Sequence, residues 1–403
     1  MLLCMSPWQL EATTLKEAME RTGQLHPELK ISGLNIEAAQ GQFTEQSSYA
    51  YNPEISLEPQ RRHLNGGGVA NDYYISLSQG IELGGKRYYR QRSAQEVLNR
   101  VNAENRLTHQ QLGIGTARAF VALFFSKQMF DLRRKQSVML RQLSLAINRQ
   151  MEVGESNQLD LNLARAAFTS ALSAEMEAKH SFTLSQAQYQ MAIGSSDGEE
   201  PGSLELPRLS VDWKLPEDAF DIALRSRPDF TARRSSVKQF RANAELAGAG
   251  RIPDPTLSVM TGREAGEQLV KVGISFPIPL FNSHQGSYKS ALAEASQIES
   301  RLAWSEKKLR MEVQAALYNH NSAMQTVASA YQREGSGVSP DSIRLAQIAF
   351  NAGEMDLERL VIHTNQALEA QLTSMEIIKQ GWLARIRLAE VLGHPEYILE
   401  GIQ

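Results

Sequence analysis

The chain has 403 residues, a formal net charge of −3 and a single cysteine. A nearly balanced charge gives no support for nucleic-acid binding, and one cysteine excludes a disulfide scaffold and a cysteine-based metal site. None of the 14 prolines falls between Pro59 and Pro201 or between Pro279 and Pro340. Because frequent turns would bring proline and glycine more often, these proline-free stretches predict very long helices.

The N-terminal segment Met1 to Met5 is apolar but has neither the basic region nor the full apolar core of a signal peptide. We therefore expect either a cytosolic chain or a start that lies inside a truncated leader. No run of 18 apolar residues occurs, so the sequence predicts no transmembrane helix.

The two halves of the sequence resemble each other. Four segments recur in the same order at offsets of 199 to 202 residues. The matched pairs are the regions around Pro27 and Pro228, Tyr51–Leu57 and Pro253–Val259, Met151–Glu155 and Phe350–Glu354, and Ala192–Gly194 and Val391–Gly393. We predict a first repeat over residues 1–194, a linker over 195–215 and a second repeat over 216–403.

Each repeat is predicted to contain a helix broken by a proline, a β-hairpin, a long helix and a return helix. The predicted helices are 14–48 (broken at Pro27), 85–152, 157–192, 217–250 (broken at Pro228), 283–352 and 356–392. At about 1.5 Å per residue, each long helix would extend for roughly 100 Å. Gly113 and Gly115 in the first long helix, and residues 335–340 in the second, are expected to be local breaks.

The hairpin strands alternate between apolar and polar residues, which places the two sets on opposite faces of a sheet. The predicted apolar face carries Ile75, Leu77, Val270, Val272, Ile274 and Phe276. Four strands cannot close a barrel, so their edges require other copies of the chain. One apolar and one polar face suit a lipid-facing wall around a wet lumen, or a dry β-cap on a soluble oligomer, and the pattern alone leaves both open.

The sequence contains no recognisable catalytic or metal-binding motif. None of the eight histidines is spaced i,i+3 or i,i+4 from another, so no helical metal clamp is expected. Nucleotide loops, nucleophile elbows and zinc-protease motifs are missing from the sequence. We expect a protein that is not an enzyme, with no catalytic residue, cofactor or metal site.

Two motifs allow a family to be suggested. One is Ile81–Arg87 (IELGGKR), which contains Gly84, Gly85 and Lys86; the other is Phe276–Asn282 (FPIPLFN), which contains Pro277, Pro279, Leu280 and Phe281. With the twofold repeat of hairpins and long helices, from about residue 14 to 393, they resemble the TolC family of bacterial outer-membrane channels. The motifs occupy the turns where that family's hairpins enter the long helices. The segment Glu82–Arg87, with Asn282–Gly286 (NSHQG) in the second half, looks most like the heavy-metal, cobalt–zinc–cadmium branch.

The resemblance implies a mainly α fold with a small β part, assembled as a homotrimer with an α-helical barrel and a twelve-stranded β-barrel. It implies a place in the outer membrane of a Gram-negative bacterium, in contact with lipid and extending into the periplasm. The implied partners are a periplasmic adaptor and an inner-membrane RND pump. The expected cargo is divalent heavy-metal cations. A drug or organic-solvent duct of the same fold and a soluble coiled-coil scaffold are the alternatives.

Two glycines, Gly154 and Gly353, are predicted to reverse the chain between the long and the return helices. The charged residues that follow would line the inner mouth of such a channel: Glu155, Asp160, Glu354, Asp356 and Arg359. TolC-family channels have acidic residues six and nine positions after the second tip glycine, where this chain has Arg359 and Ile362. We hypothesise that Asp160 and Arg359 form an ion pair between neighbouring helix hairpins.

Overall fold

The computed structural model describes residues 13–63, 66–195, 202–212, 216–334 and 341–400. The helices are α1 (Leu15–Leu25), α2 (Pro27–Ser47), α3 (Lys86–Glu152), α4 (Gln158–Ile193), α5 (Ala219–Ser226), α6 (Pro228–Ala249), α7 (Gln285–Glu334), α8 (Asp341–Asn351) and α9 (Leu357–Leu392), with a final 3₁₀ turn at Pro395–Ile398. The strands are β1 (Thr13–Thr14), β2 (Glu54–His63), β3 (Val69–Gly80), β4 (Leu204–Glu205), β5 (Thr256–Glu264) and β6 (Glu267–Ser275). The segment Met1 to Met5, with its predicted leader remnant, lies outside the described residues.

The helix boundaries follow local sequence signals. Thr14 caps α1, because its hydroxyl accepts from the Glu17 N–H while the Glu17 carboxylate accepts from the Thr14 N–H. Each broken helix restarts at the expected proline, Pro27 or Pro228, which has no N–H to donate. The predicted helix, hairpin and helix-pair order is confirmed in both halves of the chain.

One expected interruption is wrong. Gly113 and Gly115 lie inside α3, which continues through them without a break. Each glycine costs a helix about 1 kcal/mol relative to alanine. The neighbouring Ile114, Thr116 and Ala117 are fully buried, so tertiary packing of this stretch offsets that cost. The second expected break, at 335–340, lies outside the described part of the chain.

Two compact units divide the chain, and each combines segments from both halves. The helical unit comprises residues 1–30, 108–227 and 308–403, and the strand-bearing unit comprises residues 31–107 and 228–307. In the helical unit, Phe120, Trp382 and Ile386 belong to the main apolar core. Part of the predicted linker also packs there: β4 pairs with β1 in parallel, and Leu209 is buried.

The strand-bearing unit contains a four-stranded antiparallel sheet in the order β2-β3-β5-β6. Its register aligns Leu57 with Ile75, Leu77 with Val259, and Val259 with Val272. The alternating apolar residues of all four strands therefore share one face. The register places five of the six residues predicted for the apolar face on it, namely Ile75, Leu77, Val270, Val272 and Ile274.

Phe276, the sixth residue predicted for this face, lies one position beyond the end of the strand. Strand β6 ends at Ser275, which pairs with Thr256, the first residue of β5. Phe276 therefore has no ladder partner on β5. The following residue, Pro277, has no N–H with which to extend the ladder.

Candidate functional site

The apolar face of the sheet is exposed in the single chain. Its most exposed side chains are Ile55, Leu57, Val270, Val272 and Ile274, each at least 60% accessible. Soluble monomers seldom present a continuous apolar surface of this kind, and such surfaces mark contacts with a membrane or another protein.

The opposite face of the sheet is polar and acidic. Along the described strands it carries five carboxylates and two basic groups, a formal charge of −3. These are Glu54, Glu58, Asp72, Glu264 and Glu267 against Arg62 and Lys271. The charged side chains on the apolar face of the same strands are Arg61 and Arg263, with no carboxylate. The two faces therefore differ in charge sign as well as in polarity.

An ion-pair cluster joins the two hairpins on the polar face. The guanidinium of Arg62 donates to Asp72 Oδ2 from Nη2 at 2.5 Å and from Nε at 3.1 Å, and to Glu264 Oε1 at 3.3 Å. The backbone N–H of Ala265 donates to Asp72 Oδ1 at 3.0 Å. Because Asp72 accepts from both hairpins and is buried, the cluster fixes β3 against β5 at their paired end.

The first strand-to-helix junction contains the predicted Gly84, Gly85 and Lys86. Both glycines adopt positive φ, 73° and 71°, a conformation that glycine accepts at little cost. The Lys86 ammonium donates to Ile252 O at 2.6 Å and to Asp254 Oδ1 at 2.8 Å. The junction is thereby attached to the loop that precedes β5.

Asp254 is the central acceptor of this junction. Besides Lys86, it accepts from the Leu83 N–H at 2.8 Å and from the Tyr51 hydroxyl at 2.9 Å. Burial alone would raise the pKa of Asp254, but the donors Leu83, Lys86 and Tyr51 together hold that pKa below its ordinary value. The hydrogen bond from the Tyr51 hydroxyl to Asp254 is also the main reason that the pKa of Tyr51 is raised.

Sequence reasoning identified Lys86 but missed Asp254 and Tyr51. A signal was present, since Asp254-Pro255 recurs in the first half as Asn52-Pro53. The neutral Asn52 of the first repeat corresponds to the carboxylate Asp254 of the second, and this difference indicated a charged partner for Asp254.

The second junction, from Phe276 to His284, is more exposed. The four predicted motif residues Pro277, Pro279, Leu280 and Phe281 are all exposed. The Leu280 N–H donates to Ile278 O at 2.8 Å, and the His284 N–H donates to Asn282 Oδ1 at 3.0 Å. Local hydrogen bonds therefore shape this segment before α7 begins.

The two chain reversals of the helical unit form as predicted. Gly154 and Gly353 have φ of 82° and 77°, which favours glycine at both tips. Glu155 and Glu354 are exposed immediately beyond them. The Asp160 N–H donates to the side chain of Asn157 at the start of α4, and the Arg359 N–H donates to that of Asp356 at the start of α9.

Both tips meet in one apolar cluster of the helical unit. Its buried members are Ile147, Leu161, Ala164, Leu357 and Val361. The structure therefore brings the predicted tip residues of the two halves into one region, at the end of helices that pack together.

Within the chain, Arg359 pairs with a residue other than the predicted Asp160. Arg359 Nε lies 3.6 Å from Asp356 Oδ2 in its own first turn, while Asp160 Oδ2 accepts from Ser156 Oγ at 3.3 Å. No Asp160–Arg359 pair occurs among the described ion pairs of the chain. The local pair forms because the capping geometry already places Asp356 beside Arg359.

Two kinds of feature are missing from the described ranges, a metal-binding cluster and a membrane-spanning helix. No group of three or more His, Cys, Asp or Glu side chains there is placed to hold a metal ion. In the same residues, no helix has both the length and the apolar content that are needed to cross a membrane.

The sheet, junctions and paired helix turns agree with comparisons against known proteins. Residues 219–394 match the family described as Outer membrane efflux protein. The cobalt-zinc-cadmium resistance protein CzcC of Cupriavidus metallidurans is 20% identical over 319 residues, 78% of this chain and 75% of that protein. The outer membrane efflux protein BepC of Brucella suis is 22% identical over 345 residues, 80% of this chain and 70% of that protein.

Solved structures show the same fold. A crystal structure of CusC has a TM-score of 0.79 at 16% identity, covering 95% of this chain and 93% of the other. The CmeC outer membrane channel of Campylobacter jejuni has a TM-score of 0.80 at 17% identity, covering 94% and 85%. The chain therefore has a TolC-like channel fold, mostly helical with a small sheet part. The match to the outer membrane efflux protein family covers residues 219–394, and the solved channels share the fold of this chain over nearly its whole length.

Proposed function

We propose that this chain is the outer-membrane subunit of a tripartite RND system that exports divalent heavy-metal cations. The acidic polar face of the sheet is the observation that carries the choice of cations. Three copies of a face with a formal charge of −3 would surround a lumen with carboxylates, which raises the local concentration of cations and repels anions. The similarity to the cobalt-zinc-cadmium resistance protein supports the same cargo.

The proposed assembly is a homotrimer that works with a periplasmic adaptor and an inner-membrane pump. Three copies would supply twelve strands, whose apolar faces meet lipid and whose acidic faces meet water. The paired turns around Gly154 and Gly353 would form the periplasmic mouth, with Glu155, Asp160 and Arg359 near the opening. The two repeats, 1–194 and 216–403, would then alternate around the channel, joined by the 195–215 linker.

The cargo is tested by deleting the gene in its natural host. We expect the deletion strain to accumulate Co²⁺, Zn²⁺ or Cd²⁺, measured by mass spectrometry of washed cells, and to regain export with the wild-type gene. Sensitivity to dyes, detergents and organic solvents should be unchanged. A strain that loses solvent or drug tolerance and keeps normal metal levels would refute the metal proposal and favour a drug duct.

A further inference from the structure

The apolar face of the sheet changes in chemistry along its strands. The register aligns the side chains of this face into rows that run across the four strands. Two successive rows are uncharged, and they consist of Ile55, Leu77, Val259 and Val272, then of Leu57, Ile75, Thr261 and Val270. The next row contains Pro59, Tyr73, Arg263 and Gln268, and beyond it Arg61 lies opposite Asn71. Arginine therefore enters this face only where the apolar rows end.

The two arginines lie at the end of the sheet that carries the hairpin turns. Strand β2 ends at His63 and β5 ends at Glu264, while the opposite end of the sheet leads into α3 and α7. Gln268, which pairs with Arg263, is the second residue of β6. The apolar rows thus have helices beyond one end and the two arginines beyond the other.

Tyr73 marks the border between the apolar rows and the arginines. It pairs directly with Arg263 and is 52% exposed on the apolar face. In membrane-spanning β-barrels, aromatic residues form girdles at the membrane–water interface, because the ring is apolar and the hydroxyl is wet. Tyr73 therefore places Arg263 beside it, and Arg61 one row further, at the level of the lipid headgroups.

The arginines of the two faces differ in their partners. Arg62, on the polar face, is bonded to Asp72 and Glu264. All five carboxylates of the described strands lie on that polar face, and the ion pairs of the described residues include neither Arg61 nor Arg263. Both of these arginines are exposed. A guanidinium stays charged at any physiological pH, so an anion that binds them must come from outside the chain.

The spacing of Arg61 and Arg263 suits one large anionic headgroup. They lie on β2 and β5, the two neighbours of β3. Two strand spacings and one row separate them, which puts their Cα atoms about 12 Å apart. Asn71 and Tyr73 of β3 lie between them, so an amide and a hydroxyl are available beside the two guanidinium groups. Guanidinium groups bind phosphate through paired N–H donors, which favours a phosphate-bearing ligand.

We propose that Arg61 and Arg263 bind the phosphate groups of a phosphorylated lipid in the outer leaflet, with its acyl chains against the apolar rows. The inference rests on the proposed outer-membrane channel, in which α3 and α7 leave the sheet toward the periplasm and the hairpin turns face outward. Charge complementarity and the continuous apolar surface select this occupant together. A free phosphate ion would meet the arginines but would gain nothing from the rows beside them.

Lipid binding to the purified, delipidated channel tests the proposal, with bisphosphorylated lipid A as the probe and native mass spectrometry as the measurement. Each of Arg61→Gln and Arg263→Gln should weaken binding about fivefold, and the double variant about 25-fold. The matched control is Lys271→Gln, which removes a basic side chain from the polar face and should leave the affinity unchanged. Lipid A stripped of both phosphates should bind to the wild type as weakly as the intact lipid binds to the double variant.

The charge-preserving variant Arg61→Lys with Arg263→Lys separates a loss of charge from a loss of folding. It should retain more affinity than the double glutamine variant and still distinguish phosphorylated from stripped lipid. If the glutamine variant fails to assemble, the lysine variant and the wild type decide the question with the two lipids alone.

Equal binding of phosphorylated and stripped lipid A to the wild type would overturn the proposal, as would unchanged affinity in an assembled double glutamine variant. Displacement of the lipid by inorganic phosphate at matched ionic strength would show a site for free phosphate and would also overturn it. The binding assay is independent of transport. A channel that binds phosphorylated lipid but exports no metal would refute the proposed cargo and leave this inference standing.

Discussion

The exposed apolar face of the sheet leads to a specific prediction about membrane insertion. Strand β6 has nine residues, enough for one tilted transmembrane strand, and Val272 lies next to its centre. Val272 is 80% exposed on the apolar face, opposite Val259, whereas the adjacent Lys271 lies on the polar face. We expect Val272→Lys to block assembly and Lys271→Gln to be tolerated.

The expected magnitude follows from depth in the bilayer. A lysine on the lipid side near the midplane costs about 2–4 kcal/mol, so three copies cost about 6–12 kcal/mol per trimer. That is comparable to the whole stability of a typical domain, about 5–15 kcal/mol. Ile274→Lys lies nearer the strand end and should cost about 0–1 kcal/mol per chain.

The assay is the yield of heat-modifiable trimer in the outer-membrane fraction, on gels run with and without boiling. Trimer yield should fall in the order Lys271→Gln, Ile274→Lys, Val272→Lys, with the first close to wild type. Equal yields for Val272→Lys and Lys271→Gln would show that this face does not meet lipid.

Three further predictions concern the junction, the tips and the acidic face. Asp254→Ala should lower the free energy of unfolding by about 2 kcal/mol at neutral pH, because it removes the carboxylate that accepts from the half-buried Lys86 ammonium, the Leu83 N–H and the Tyr51 hydroxyl. Since the folded pKa of Asp254 is lowered, this stabilisation is present above the ordinary aspartate pKa and is lost as the pH falls through the folded value, so the difference from wild type should shrink in acid. Arg359→Ala should increase single-channel conductance at low salt, because Asp356 and the other tip carboxylates then repel one another across the trimer. Glu54→Gln with Glu58→Gln should reduce the preference for cations over anions, measured as a smaller reversal potential in a salt gradient.

Each of these predictions has a control within the chain. Glu245→Ala, on an exposed position of α6, should leave thermal unfolding unchanged, and an equal shift for Asp254→Ala would argue against the junction network. For the tips, equal conductance of Arg359→Ala and wild type at low and high salt would contradict a role for tip charges. Closure of the channel would then depend on packing around Phe350 and Leu357. For selectivity, Arg61→Gln on the apolar face should not change the reversal potential, and a change equal to that of the double variant would contradict the facing.

Much of this architecture was predictable because it depends on short-range patterns. A helix repeats its buried positions every three to four residues and a strand every two, so periodicity alone located α3, α4, α9 and the two faces of the sheet. Because the sequence contains an internal repeat, each of these periodic patterns occurs twice. Glycines at the tips were predictable for a similarly local reason, since a left-handed turn residue selects glycine.

The partners of individual charged groups depended on the tertiary structure. Lys86 and Asp254 are 168 residues apart and meet only because β3 and β5 pair. Arg359 has a nearer partner in Asp356 than the residue that repeat symmetry suggested, since a capping contact within one turn needs no long-range closure. Gly113 and Gly115 look like helix breaks in sequence, yet burial of their neighbours keeps α3 continuous. Local sequence sets the elements and their faces, whereas contacts between distant segments select which side chains pair, and those contacts exist only once the fold has closed.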